Sequence, residues 1–483
     1  MPRQPVRCPL SRRMVDGFER IRRRLDVPEA FGPDVLEAAA AAVRRGPRVP
    51  PGAPSTVVDA RELPFITIDP VGSTDLDQAF FARRTRTGYT VFYAIADVAA
   101  FVTAEDPVDR EARARGVTLY SPDLRTSLHP EVISEQAGSL LEGQDRRALL
   151  WTIDLDQDAQ LIDARLERAD VRNRTQLSYA QAQAMTATVD IDHPVAVLAE
   201  LGPKRMLLEA ERGAVSLALP SQEVRANRSG GFDLLYDESF PIETWNAQIS
   251  LLAGIAASRI MLDAGTGLLR TLPPPGQRTI DQLRRTAEAL GIEWAPEVSY
   301  ADRVRRLKPD TPQRAAMLSQ AARGLRGAGY VAFADHELPA QPEHSAIAST
   351  YAHVTAPLRR LCDRFANELI VAQCADAQPP TWAVEALDEL PSLMGSARAR
   401  DRNLERAIVD FVEAIVLEPR VGDVFDAVVT DVDVDRGRSR IQLRDPAVVA
   451  RLPAAGLALG HRVRVRLLEA DAEAGQVRFE LGD

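Results

Sequence analysis

Thr67-Ile68-Asp69-Pro70-Val71-Gly72-Ser73-Thr74-Asp75-Leu76-Asp77-Gln78-Ala79-Phe80 sets three carboxylates within nine residues at the end of an apolar run. Leu63, Phe65, Ile66 and Ile68 read as a buried strand, and Pro70 to Thr74 as a tight loop that returns the chain so that Asp75 and Asp77 face Asp69. Residues two apart in a strand share a face, so Asp75 and Asp77 are expected to point the same way. Carboxylates gathered this closely call for a cation. Hard oxygen ligands of that number suit Mg2+ or Mn2+, which keep several waters and share the rest of their shell with substrate phosphate. The implied substrate is a phosphodiester.

Spacing alone leaves a second reading open, because Asp-x-Asp also occurs in hairpin turns. Asp154-Leu155-Asp156-Gln157 repeats the tetrapeptide of Asp75 to Gln78, yet it lies between two apolar runs at 149–153 and 161–162 and predicts a hairpin with a polar turn. Asp431, Asp433 and Asp435, ahead of Arg436-Gly437-Arg438, predict another.

The chain has 483 residues, of which 45% are hydrophobic and 27% charged, enough for two to four globular domains at roughly 150 residues each. The uncharged run 245–258 is broken by Asn246, Gln248 and Ser250 and stopped by Arg259, short of the ~18 apolar residues of a membrane span. Met1 to Arg7 carry charge with no apolar stretch behind them, so a cytoplasmic protein with no membrane partner is expected. Cys8, Cys362 and Cys374 have no Cys-x-x-Cys spacing, which argues against a disulfide framework or a zinc site. The net charge of -10 opposes nucleic-acid binding at first sight. Its distribution does not. Lys204 and Lys308 are the only lysines among 59 basic residues, and arginines gather at Arg359, Arg360 and Arg364 and again at Arg398, Arg400, Arg402 and Arg406. Arginine is the side chain that grips phosphate bidentately.

Residues 15–25 and 34–45 predict two helices, the second stopped by Gly46 and Pro47, and together they suggest a helical N-terminal module over residues 1–58, of helix-turn-helix or winged-helix type. Strands and helices mix without an internal repeat up to about residue 415, giving an α+β multidomain chain. Residues 422–429, 440–443, 461–468 and 476–481 alternate as strands of a small barrel over 418–483, with Arg462, Arg464 and Arg466 on one strand face. Tyr351-Ala352-His353-Val354-Thr355-Ala356-Pro357-Leu358-Arg359-Arg360-Leu361-Cys362-Asp363-Arg364 predicts a helix from Pro357 to about Ala375. Arg359 and Asp363 would then share a face, as a surface ion pair or as a clamp for phosphate at the helix start.

Together the two constellations resemble the ribonuclease II and ribonuclease R family. Its central RNB domain carries a Thr-Ile-Asp-Pro strand, an Asp-x-Asp-Asp cluster and, far downstream, a Tyr-x-x-x-Thr-Ser-Pro-Ile-Arg-Arg-Tyr-x-Asp block. Tyr93 to Ala99, Thr118-Leu119-Tyr120 to Leu128-His129-Pro130, Ser134 to Leu149, Leu269-Arg270, and His344 to Asp363 resemble further family segments in the same order. The resemblance implies an RNB catalytic domain over 59–415 and a C-terminal five-stranded OB-fold barrel, S1-like and RNA-binding, over 418–483. It also implies a processive 3′-to-5′ exoribonuclease acting as a monomer in RNA degradation and processing. The enzyme would hydrolyse single-stranded RNA to nucleoside 5′-monophosphates with Mg2+, or with Mn2+.

By matching position, Asp69 is a metal ligand, and Asp75 and Asp77 complete the acidic site. Arg359 holds the scissile phosphate beside Arg360, Tyr120 stacks on bases near the 3′ end, and Glu405 contacts the RNA there. Three departures stand out. Gln78 replaces the last aspartate of the cluster and would be a weaker, uncharged metal ligand. Ala247-Gln248 replaces a Glu-Glu pair, and Leu361 an aromatic residue. Residues 1–58 are too few for the two cold-shock barrels that precede the domain in family members. The alternative to an active enzyme is therefore an RNA-binding protein on the same scaffold, catalytically impaired by Gln78.

Overall fold

The computed structural model describes residues 12–482 except 216–221, 227–231, 237–239, 309–310, 434–436, 444 and 455. Phe65, Ile66, Thr67 and Ile68 are all buried, as a strand covered on both faces must be, and they form β1 (Phe65–Asp69) inside a six-stranded sheet. Val58–Asp59 lies at one end of this sheet; the other members are β2 (Gln78–Arg84), β3 (Gly88–Ala96), β4 (Asp145–Asp156) and β5 (Leu161–Ser178). β1, β2, β3 and β4 are neighbours in that order. The 18-residue β5 closes the sheet on itself. It pairs antiparallel with β4 from Leu161 to Arg172, then runs parallel to β1 from Asn173 to Ser178. That register sets Asp69 at the last rung of β1, opposite Ser178.

The turn joining β4 to β5 is the expected hairpin: the Asp156 carboxylate accepts from the amides of Asp158 (2.9 Å) and Gln160 (2.8 Å). Asp431 and Asp433 likewise lie in a strand paired with its neighbour, and Asp435 falls outside the described residues.

α1 (Arg12–Arg24) and α2 (Pro33–Arg45) form where expected. α2 sets Val35, Ala39 and Ala42 into one side of the sheet with Phe65 and Ala94. α1 instead buries Met14, Phe18 and Ile21 among residues of another cluster, where Phe18 meets Phe411 edge-on at 5.4 Å between ring centroids. Among the described residues the two helices thus bury their apolar faces in different clusters.

The opposite side of the sheet is covered by α3 (Pro194–Glu211), α4 (Pro241–Ala264) and α5 (Leu361–Cys374). Contrary to the sequence reading, α4 is long and apolar enough for a membrane span. Its alanines, leucines and isoleucines outweigh the interrupting polar residues. It is a core helix of this fold, with Ile249, Leu252, Ala256 and Met261 buried against the sheet and α5.

α6 (Leu390–Leu417) carries Phe411 and links this body to the C-terminal barrel. The barrel strands are β6 (Val424–Asp433), β7 (Arg438–Leu443), β8 (Val449–Leu452), β9 (Arg462–Asp471) and β10 (Gln476–Leu481). They are ordered β8-β7-β6-β9-β10, all antiparallel, with β8 and β10 close enough to complete a nearly closed OB-like barrel. Arg462, Arg464 and Arg466 lie exposed on one face of β9 while Val465 and Leu467 fill the interior.

Candidate active site

Asp75 and Asp77 sit in the loop before β2 rather than within a strand. They still fall on one side, because Leu76 between them is wholly buried and its amide donates to Ser139 Oγ at 2.9 Å. Asp77 is gripped by the downstream block: its Oδ1 accepts from the Leu358 amide (2.8 Å) and its Oδ2 lies 3.4 Å from Arg359 Nε. Asp75 Oδ1 accepts from Arg125 Nη1 at 2.6 Å, and the Tyr120 hydroxyl stands 3.4 Å from its Oδ2.

Burial pushes the Asp69 carboxyl up to about 7 and that of Asp77 up to about 8, with Arg359 opposing both incompletely. Burial also raises Asp75 against the pull of Arg125. Asp77 is buried and Asp69 and Asp75 are half-buried, and three carboxylates whose charge burial disfavours are the hard oxygen donors that a divalent cation takes, so Asp69, Asp75 and Asp77 fit Mg2+ or Mn2+ as ligands. They stand further apart than His353, Cys362 and Asp363, whose ligating atoms lie within 4.8 Å of one another among the described residues. The tighter trio is already satisfied, since Asp363 accepts from Arg360 and from the Ala356 amide and His353 bonds the Tyr330 hydroxyl.

Gln78, expected as a weak ligand, is committed elsewhere. Its Oε1 accepts from the hydroxyls of Tyr93 (2.5 Å) and Ser250 (3.2 Å), and its Nε2 donates to the Thr355 carbonyl (2.6 Å). Both lone pairs of the amide oxygen are thereby taken. Gln78 thus ties β2, β3, α4 and the backbone at Thr355 together.

The downstream block also differs from its helical reading. α5 begins at Leu361, and Arg360 is extended, bridged to Val117. Asp363 therefore pairs with Arg360, not Arg359 (Arg360 Nη2 to Asp363 Oδ2, 2.8 Å). Released from that partner, Arg359 reaches Asp77. Tyr120, Arg359, Arg360 and Glu405 of α6 all line one cavity of about 610 Å³, whose wall continues through Arg270, Tyr351 and Arg398. The cavity thus meets the acids where Tyr120 approaches Asp75 and Arg359 approaches Asp77.

Sequence reasoning missed Arg125, Tyr93 and Ser250. Arg125 was reachable, since Leu119–Tyr120 and Arg125–Thr126 form a short hairpin in which Tyr120 opposes Arg125. Nothing local marks Tyr93 or Ser250, whose hydroxyls matter only once β3 and α4 pack together.

Residues 57–375 match the family described as the RNB domain. The chain belongs to the RNB family. Residues 423–482 match the RNase II-type exonuclease C-terminal S1 domain, which is the barrel of β6 to β10. The RNB chain is 28% identical over 383 residues to exosome complex exonuclease RRP44 homolog A of Arabidopsis thaliana, covering 74% of this chain and 40% of that protein. It is 25% identical over 427 residues to ribonuclease R of Escherichia coli, covering 83% of this chain and 51% of that one. It thus spans about half or less of the length of these relatives. Among solved structures, Mycoplasma genitalium RNase R in complex with ribose methylated single-stranded RNA superposes with a TM-score of 0.85 at 17% identity, over 97% of this chain and 78% of that one. Yeast Ssd1, described as a pseudonuclease, superposes with a TM-score of 0.68 at 14% identity, over 93% and 56%. These structural likenesses show a shared RNB fold.

Proposed function

We propose that this RNB protein is a metal-dependent exoribonuclease that degrades single-stranded RNA from its 3′ end and releases nucleoside 5′-monophosphates. The observation that carries the reading is the meeting of Asp69, Asp75 and Asp77 with Arg359 at the wall of a cavity that also holds Tyr120 and Glu405. Asp69, Asp75 and Asp77 would hold Mg2+, with Mn2+ as a substitute. The ion, when bound, supplies Lewis-acid polarisation of the phosphate and a nucleophilic water at neutral pH.

The remaining chemistry belongs to the side chains. Arg359, 30% exposed at the cavity wall, is poised to take a phosphate oxygen while its Nε stays beside Asp77, a charge-assisted contact that strengthens as charge builds on the phosphorane. Tyr120 is positioned to stack on a base, a contact tolerant of sequence. The relatives named exonuclease and ribonuclease R support the activity, and the single-stranded RNA bound by the Mycoplasma protein supports the substrate class.

The test is chromatography of products after incubation with unstructured RNA. Nucleoside 5′-monophosphates are expected with Mg2+ and none with EDTA; 3′-monophosphates or internal fragments would reject the mechanism. A second reading, an RNA-binding protein without turnover, is favoured by Gln78 at the position of the missing aspartate. A large rise in activity from a near-zero start in Gln78→Asp would favour it.

A further inference from the structure

Away from the acidic cluster, α3 and α4 enclose a second cavity of about 310 Å³ against the β4–β5 turn. Arg205 and Arg212, seven positions apart at the C-terminal end of α3, bring two guanidiniums to it, and Arg259 of α4 brings a third. A surface arginine needs no ligand, but Arg205 is only 3% exposed. Its Nη1 donates to the Ala159 carbonyl at 2.9 Å, while its Nε, together with Nε and Nη2 of Arg212, is buried without a hydrogen-bond partner.

Among the described residues none of the three arginines lies within 4.0 Å of a carboxylate. Glu209, the nearest acid by electrostatic effect, spends Oε2 on Gln248 Nε2 at 2.6 Å. Burial and the repulsion of Arg212 and Arg259 push the Arg205 guanidinium down to about 10, with Glu209 opposing. A buried cation left uncompensated is strongly unfavourable, and the missing element is an anion. Guanidinium forks suit phosphate oxygens, and the rest of the wall offers Gln160 and Ser349 as polar groups, Leu161, Leu208 and Ile255 as an apolar side, and one carboxylate, the exposed Glu211.

We propose that Arg205, Arg212 and Arg259 form a binding site for the phosphate group of a small phosphomonoester, separate from the acidic cluster. The cavity is at the lower end of the size of small-molecule pockets, large enough for more than bare phosphate. A nucleoside 5′-monophosphate is the probe that the proposed reaction suggests; inorganic phosphate is a probe that does not depend on that reading.

The experiment is calorimetric titration of the full chain in EDTA with 5′-AMP, inorganic phosphate and adenosine. AMP and phosphate are expected to bind and adenosine not to. Arg259→Glu, a change at an exposed position, should weaken both by at least tenfold, and Arg212→Gln by several-fold. Equal affinities for AMP and phosphate, or tighter AMP, both uphold the site. No binding of either at millimolar concentration, binding of adenosine equal to that of AMP, or binding unchanged in Arg259→Glu would overturn it. Because turnover is absent in EDTA, loss of the ribonuclease reading would leave these outcomes unaffected.

Discussion

Gln78, expected from the family resemblance to be a weak metal ligand, has the hydrogen bonds of a tie. Replacing it with leucine removes the partner of the Thr355 carbonyl and one of the two partners of the Tyr93 hydroxyl, which keeps Ser250, while keeping the side-chain volume. Buried polar groups left unpaired cost about 1–3 kcal/mol, so Gln78→Leu is expected to lower the thermal midpoint in EDTA while Mn2+ affinity, followed by calorimetry, stays within about threefold. A fall of tenfold or more in Mn2+ affinity with an unchanged midpoint would make Gln78 a ligand after all. At this scale the three aspartates were legible because residue type and spacing carry their chemistry. The partner of Arg359 was not, because pairing it with Asp363 assumed a helix that begins four residues too early. Only the extended backbone at Arg360 gives Asp363 to its neighbour and leaves Arg359 to Asp77.

Helix α5 is buried from Leu361 to Ala372, charged residues included, so its attachment to the sheet depends on paired charges as well as packing. Arg168 of β5 bonds both Asp97, just beyond β3, and Glu368 of α5, with all three side chains fully buried. Two acids share one guanidinium, and burial pushes the Glu368 carboxyl up to about 7. The sign follows from proton counting: between pH 4.5 and about 7 the native state holds a proton that the unfolded chain has released, so stability from this group is lost as pH rises through that window. Glu368→Gln, which mimics the protonated acid, is expected to flatten the decline in denaturation midpoint between pH 5 and 7.5 relative to the unaltered protein. An identical slope in the two would show that Glu368 stays ionised throughout. Helices with clear caps and period, such as α2, were legible almost to the residue. β8 was not, since four residues give no measurable alternation, and neither was the docking of α1, whose partner Phe411 is nearly 400 residues away in sequence.

The whole molecule joins an RNB body to an S1-type barrel through α6, with α1 clamped over the junction. Alternation at four of the five barrel strands made the second domain readable, whereas closure of the main sheet by β5 required a strand that changes partner midway, which no periodicity records. If the arginine face of β9 tracks RNA phosphates, changing Arg462, Arg464 and Arg466 together to glutamine should weaken single-strand binding and reduce the slope of log affinity against log salt by about 2. An unchanged slope would remove β9 from the RNA path. The central claim is that the aspartates beside Arg359 cleave RNA from its 3′ end. It is tested most directly with 5′-labelled single-stranded RNA and Mg2+ on a gel, beside Asp77→Asn. The full-length band should give way to a short end product of a few nucleotides in the unaltered protein and persist in the variant. Tight binding with no shortening in either Mg2+ or Mn2+, or equal degradation by Asp77→Asn, would contradict it.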